Sequence, residues 1–112
     1  MIINYKSKKI KVSVRKVSEI GKGIGLIFKS KNTENLLFEF KNKTCMRIHS
    51  YFVFFSFLAI WIGQNNEVLD WKMVKPFTLS VKSKKYFSKL VEIPINKKNK
   101  KIVEFFVGKG KI

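Results

Sequence analysis

Ile48-His49-Ser50-Tyr51-Phe52-Val53-Phe54-Phe55-Ser56-Phe57-Leu58-Ala59-Ile60-Trp61-Ile62 is the most apolar stretch of a Lys-rich chain of 112 residues. Nothing else in the sequence offers as much surface to bury, so the fold turns on whether this stretch is a membrane helix or core β-structure. From Tyr51 to Ile62 the apolar run is 12 residues, interrupted only by Ser56. A spanning helix needs about 20. Aromatic and β-branched side chains dominate, and these fit a pleated surface better than a helix. The stretch therefore reads as two strands, Met46–Phe55 and Leu58–Gly63, with a kink near Ser56. A strand apolar on both faces belongs at the centre of a barrel or sandwich.

Working outward, Gly63-Gln64-Asn65-Asn66-Glu67 is a hairpin signal, and Val68 to Val74 answers as the return strand. Alternation places Leu69, Trp71 and Met73 on one face and Asp70 and Lys72 on the other, and Pro76 closes the strand. Upstream, Leu36 to Phe40 is a short strand, with Lys41-Asn42-Lys43 turning the chain and Lys29 to Asn35 a polar loop. Ile10 to Arg15 alternates with period two, as a half-buried strand does. Ser18 is placed to cap a short helix over Glu19–Lys22. Downstream, Tyr86 to Ile95 reads as a strand ending near Pro94. Lys97 to Phe106 fits a short helix with Ile102, Phe105 and Phe106 inward, or another strand, and Val107 to Ile112 reads as a turn and a final edge. The expectation is one mainly β (α+β) domain over residues 1–112, a small antiparallel barrel or sandwich with one or two short helices.

Charge is the strongest compositional signal: 24 basic residues against seven acidic ones leave a net +17. Self-repulsion on that scale destabilises a compact state unless a polyanion or counterions offset it. Nucleic acid is the commonest such partner, and an anionic membrane surface ranks behind it. Codon bias in an A/T-rich genome accounts for Lys over Arg, but not for the shortage of Asp and Glu. The single cysteine, Cys45, forms no internal disulfide, and the N-terminus carries no secretory signal, so the expected location is the cytoplasm.

The sequence offers little to catalysis. Gly21-x-Gly23-x-Gly25 lacks the Lys-Ser or Lys-Thr of a phosphate loop and the spacing of a dinucleotide fingerprint, so it reads as turn chemistry. Cys45 and His49 lie four apart, about 13 Å on a strand, too far for a nucleophile pair. Both read as packed residues. Scattered acids and a single histidine give no catalytic residues, no metal ligands and no cofactor site.

The candidate binding residues are basic: Lys6, Lys8, Lys9, Lys11 and Arg15; Lys82, Lys84 and Lys85; and Lys97, Lys98, Lys100 and Lys101. Lys supplies point charges rather than the bidentate fork of Arg, which favours phosphate contact over base reading. Tyr5, Trp71 and Tyr86 are the aromatics placed to stack on bases. The expected function is non-catalytic RNA binding in a ribosome or another ribonucleoprotein particle, with ribosomal RNA and ribosomal proteins as partners. The alternative is a domain that binds a small ligand or a protein, with an incidental basic surface.

Several motifs in order resemble the family catalogued as domain of unknown function 192. Gly25-Leu26-Ile27-Phe28 looks like its Gly-Leu-Met-Phe motif, and Leu36-Leu37-Phe38-Glu39-Phe40 is similar to its LLF-F strand. Ile48 to Phe55 resembles the archaeal form of its central segment. Val68, Pro76, Leu90-Val91-Glu92-Ile93-Pro94 and Val107-Gly108 follow its later pattern, so the resemblance spans about residues 10–112. It implies a compact, mainly β domain with no established reaction. Where the family has Pro-hydrophobic-Asp, this chain has Ser56-Phe57-Leu58, and Lys109 stands at the closing acidic position. The resemblance thus implies a scaffold that has lost two acids and turned toward a polyanion.

Overall fold

A computed structural model describes residues 1–17, 30, 32–48, 50, 53–78 and 80–108. Its strands are β1 (Ile2–Tyr5), β2 (Lys8–Lys11), β3 (Arg15–Lys16), β4 (Leu36–Thr44), β5 (Phe57–Ile62), β6 (Val68–Val74) and β7 (Phe87–Pro94), and helix α1 (Lys100–Val107) closes the described chain. β1 and β2 form a hairpin of their own. The other strands make a five-stranded sheet in the order β3-β4-β7-β5-β6, antiparallel except where β3 joins β4. The sheet is open, with β3 and β6 at its edges, so the architecture is sandwich-like α+β and not a closed barrel.

β5 has the central place that its composition predicts. All six of its residues are buried, and it pairs with β6 on one side and β7 on the other. Phe57, Ala59 and Trp61 enter one core, with Leu36, Phe38, Val74, Phe87 and Leu90. Leu58, Ile60 and Ile62 enter a second core on the opposite face, with Ile3, Val12, Val91, Ile93, Val103 and Phe106. The second face is covered by regular elements, the β1–β2 hairpin and α1. The first is covered, among the described residues, by irregular chain from the segments before β5 and after β6.

The β5–β6 connection at residues 63–67 follows the sequence signal. Gly63 donates to the Glu67 carbonyl at 2.9 Å, and Asn65 and Asn66 take the left-handed φ values of 58° and 56° that asparagine tolerates. A Cβ on Gly63 would lie 3.0 Å from Leu69 Cδ1. The ladder slips just beyond the turn, because Trp61 faces Asp70 while Ile62 faces Val68. The extra residue is Leu69. Strict alternation put it beside Trp71 and Met73; the bulge turns it into the first core instead. Along this edge strand Asp70 Oδ1 accepts the N–H of Trp71 at 2.9 Å and Oδ2 accepts that of Lys84 at 3.1 Å.

Other expectations shift for identifiable reasons. The strand read over Met46–Phe55 is not a strand among the described residues: only Ile48 makes a bridge, to Val81. The backbone here is satisfied across the gap between loops. Buried Ser50 donates its hydroxyl to the Lys75 carbonyl at 2.6 Å and accepts the Thr78 N–H at 2.5 Å. Its own carbonyl accepts the N–H groups of Val53 and Phe77. β4 does not turn at Lys41 but runs on to Thr44 through an irregularity after Glu39. The strand expected over Ile10–Arg15 divides between β2 and β3, and β2 pairs with an N-terminal strand through a two-residue turn. That turn is Lys6-Ser7, with φ of 48° and 66°, a conformation that Asn-Gly pairs usually signal. Lys97–Phe106 resolves as helix: the Asn96 side chain accepts the Asn99 N–H at 3.0 Å, and a 3-10 turn over Lys97–Asn99 leads into α1. Val103 and Phe106 are its most buried residues, with Ile102 and Phe105 at the margin. The helix read over Glu19–Lys22, the Gly25–Phe28 motif, His49 and the final edge beyond Gly108 lie outside the described residues.

Candidate nucleic-acid interface

A cleft of about 670 Å³ opens where the end of β2, the start of β3, the loop at residues 33–35 and the first turn of α1 meet. Its cations are Lys11, Arg15, Lys98 and Lys101, and its apolar lining includes Ile10, Val14, Ile102 and Phe105. Two basic clusters more than 80 positions apart in sequence are thus brought to one concave surface. The fold achieves this because the hairpin and α1 pack side by side on the same face of the sheet. Lys8 carries the contact further, with Nζ 5.9 Å from the centre of the Phe105 ring, within cation–π range.

Glu34 is the acid in this lining, and it is already engaged by Arg15 Nε at 2.7 Å. The floor is polar and fixed. Asn35 Nδ2 donates to the Ser13 carbonyl at 2.9 Å and to Asn99 Oδ1 at 3.1 Å, while Asn99 Nδ2 donates to the Pro94 carbonyl at 2.8 Å. This relay ties the ends of four segments together. Asn35 and Asn99 have no distinguishing signal in the sequence, because each is placed by tertiary contact, and Phe105 reads there only as an inward helix residue.

The start of α1 carries an electrostatic anomaly. Its helical dipole leaves partial positive charge at the N-terminus, where acidic side chains are stabilising. The chain places Lys97, Lys98, Lys100 and Lys101 there and no acid in the first turn. Repulsion among these groups weakens the helix unless an anion sits between them.

The other predicted residues divide. Lys6 and Lys9 are exposed on the hairpin, Lys6 with Nζ 5.2 Å from the Tyr5 ring centre. Lys82, Lys84 and Lys85 are exposed between β6 and β7 and do not line the cleft. Their segment is tied to β6, with Lys72 Nζ donating to the Lys82 carbonyl at 2.6 Å. Tyr5 and Trp71, read as stackers, are instead joined to the second core: Trp71 Nε1 donates to the Tyr5 hydroxyl at 3.3 Å, and Tyr5 packs on Phe105 and Phe106. Tyr86 does face solvent, at 63% exposure. The exposed aromatics that the sequence concealed are Phe54, in an apolar run that reads as core, and Phe77, which follows Pro76 in a stretch that gives no sign of its exposure.

Among titratable groups, Glu92 stands apart. It is 7% exposed, on the sheet face of the first core, between Leu36 and Ala59 on the neighbouring strands. Burial pushes its carboxyl from the ordinary 4.5 up to about 8. Cys45 is half-buried rather than fully packed, and its hydrogen bond and charge raise the pKa of the Tyr86 hydroxyl beside it. Among the described residues no group of three His, Cys, Asp or Glu side chains is placed to hold a metal ion.

Fold and site together define a basic, sandwich-like α+β domain with a cationic cleft between a hairpin and a helix. The chain matches no family model and no curated protein. Two solved structures share its fold. One is a protein of unknown function from Novosphingobium aromaticivorans, with a TM-score of 0.69 and 12% identity over 83% of this chain and 69% of that one. The other, titled a "putative transcription regulator" from Sinorhizobium meliloti, gives 0.71 and 12% identity over 83% of this chain and 76% of its own. At that identity the likeness concerns the fold alone. No helix among the described residues is long and apolar enough to cross a membrane.

Proposed function

We propose that the protein is a non-catalytic RNA-binding domain of the cytoplasm, a component of the ribosome or of another ribonucleoprotein particle, that holds a phosphate backbone in the cleft. The observation that carries this reading is the convergence of Lys11 and Arg15 with Lys98 and Lys101 on one concave surface, where the acid Glu34 is already paired. Codon bias supplies lysines but has no reason to gather them. Lys8, over the Phe105 ring, and Lys97 and Lys100, next in sequence to Lys98 and Lys101, add to this charge, and the apolar lining gives sugars and bases a surface to lie against. Recognition is of charge and shape, since Lys contributes point charges to phosphates rather than a base-reading fork. On this reading the resemblance to domain of unknown function 192 concerns the ancestry of the scaffold; of the two positions where that family has an acid, the first is Leu58, buried in β5.

With about six phosphates engaged, affinity for RNA falls by roughly a thousandfold between 50 and 200 mM salt. A fluorescence titration across that range, with a sucrose-gradient sedimentation of native lysate, tests the reading. A steep salt slope and co-migration with a ribosomal subunit support it; a flat slope and a position at the top of the gradient overturn it. The cleft's volume of about 670 Å³ favours one second reading, since small-molecule sites run to about 300–1,000 Å³. A small ligand seated there would bind with little dependence on salt.

A further inference from the structure

The segment before β5 and the loop after β6 present a pair of phenylalanines to solvent. Phe54 is 62% exposed and Phe77 52%, and their rings meet edge to face, with centroids 5.3 Å apart and planes at 79°. Two large rings held outward on a protein with apolar cores to fill require a reason. The backbone deepens the question, because Phe77 has φ of 59°. For a bulky residue this left-handed conformation is strained, and such strain persists only where surrounding structure imposes it. The imposition is visible. Buried Ser50 grips the second loop on both sides of Phe77, through the Lys75 carbonyl and the Thr78 N–H, and its carbonyl takes the Phe77 N–H at 2.9 Å. The Thr78 hydroxyl donates to the Lys75 carbonyl as well, at 2.7 Å. The two loops are one braced unit.

Along the sequence, the charge on either side of these loops is of one sign. No acid occurs from Phe40 to Asn66 or from Trp71 to Val91, the sequence that includes both loops. Arg47 and Lys75 are exposed within them. An exposed aromatic pair whose sequence neighbours Arg47 and Lys75 are exposed cations is complementary to a single-stranded nucleic acid, whose bases stack and whose phosphates pair. Rigidity favours that partner over an anionic bilayer. A phenyl group partitions into lipid in any orientation, whereas stacking a base in register with its phosphate requires a ring fixed in advance.

We infer that Phe54 and Phe77 form a stacking platform for an unpaired base of RNA, on the face of the sheet opposite the basic cleft. The inference rests on the RNA-binding reading for its class of partner and adds single-strandedness. Its test uses a 12-nucleotide single-stranded RNA carrying 2-aminopurine, a duplex RNA of equal charge, and vesicles of phosphatidylcholine with phosphatidylserine.

Phe77→Gly is the informative variant, since glycine accepts the left-handed φ without strain. Expected are a higher melting temperature, loss of the 2-aminopurine quenching seen with the unmodified protein, and roughly tenfold weaker single-strand binding. Duplex binding through the cleft should be unchanged. Phe54→Ala, which leaves the strained position alone, should weaken single-strand binding in the same direction. Unaltered quenching and affinity in both variants, with duplex binding intact, would sink the platform and leave the cleft standing. Equal losses on single strand and duplex would also overturn it, as would loss of vesicle binding with RNA binding unaffected. If the unmodified protein bound neither RNA, the cleft reading would fall with it.

Discussion

The two faces of the five-stranded sheet solve the same problem differently. The face under the hairpin and α1 is covered by elements that satisfy their own backbones, and its polar aromatic atoms find partners, as Trp71 does with Tyr5. The face under the irregular segments depends on side chains to satisfy backbone, with Ser50 as its main brace. It also holds buried polar groups under stress, as the cleft floor on the other side does at Asn35 Oδ1, which has no partner among the described residues. Glu92 is sealed among apolar neighbours, and among the described residues the buried indole N–H of Trp61 has no partner. Lys72 lies on the same face across Ala59 but is turned to the Lys82 carbonyl. Regular cover leaves a stable platform on which charge can be displayed. Irregular cover stores strain and displays rings.

The largest expected effect breaks the comparison on the charged side. Reversing Lys11, Lys98 and Lys101 together to Glu should weaken RNA binding at least a hundredfold and flatten its salt slope by about three phosphates' worth. Reversing Lys82, Lys84 and Lys85, which lie outside the cleft, should have a much smaller effect. Equal effects in the two triple variants, measured by the same titration, would mean that net charge matters and the cleft does not.

Next comes Glu92. Above pH 4.5 the unfolded chain releases this proton, while the folded chain keeps it to about pH 8. Unfolding is therefore coupled to proton loss, and stability declines as pH rises through that window. The slope is about 1.4 kcal/mol per pH unit where only the unfolded state is ionised. Glu92→Gln should remove most of this dependence, leaving the variant more stable than the parent by a few kcal/mol at pH 8 and close to it at pH 5. Urea unfolding at the two pH values reads the difference. Parallel losses in both proteins would show that the carboxyl is solvated.

Ser50→Ala tests the brace. Losing two short hydrogen bonds to buried backbone should cost about 1–3 kcal/mol. Hydrogen exchange should rise at Phe77 and Thr78 while α1 keeps its protection. Uniform loosening of both faces would contradict the division drawn between them.

The smallest effect carries the most telling sign. Lys97→Glu or Lys100→Glu, at the start of the helical segment beside the cleft residues Lys98 and Lys101, should stabilise the fold by about 0.3–1 kcal/mol each by complementing the helix dipole, while weakening RNA binding. A gain in melting temperature without loss of affinity would remove those two lysines from the interface.

How much of this was legible follows the range of the interactions. β5, its turn at residues 63–67 and β7 could be read because apolar runs and turn residues are local signals. The β1–β2 hairpin was hidden, since Lys6-Ser7 adopts its turn without the glycine or asparagine that usually marks one. Met46–Phe55 misled for a related reason: residues that cover a sheet, as Ile48, Val53 and Phe55 do, are of the same types as residues that form one. The basic clusters were visible singly. Their convergence depended on α1 packing beside the hairpin, and Lys82, Lys84 and Lys85 show that a similar cluster need not join. Phe54 and Phe77 were invisible because hydrophobicity alone gives no sign of which rings a braced loop will turn outward.

Asp70 has a further consequence, for how copies of the protein behave together. β6 is an edge of the sheet, and an edge N–H is a template on which another chain can add a strand. The Trp71 N–H is already held by the Asp70 carboxylate. In the free protein a charge of +17 keeps copies apart. When a polyanion neutralises that charge and crowds many copies on one strand, repulsion no longer protects them. One of only seven acids in the chain then stands guard against edge-to-edge assembly, where solubility would otherwise fail.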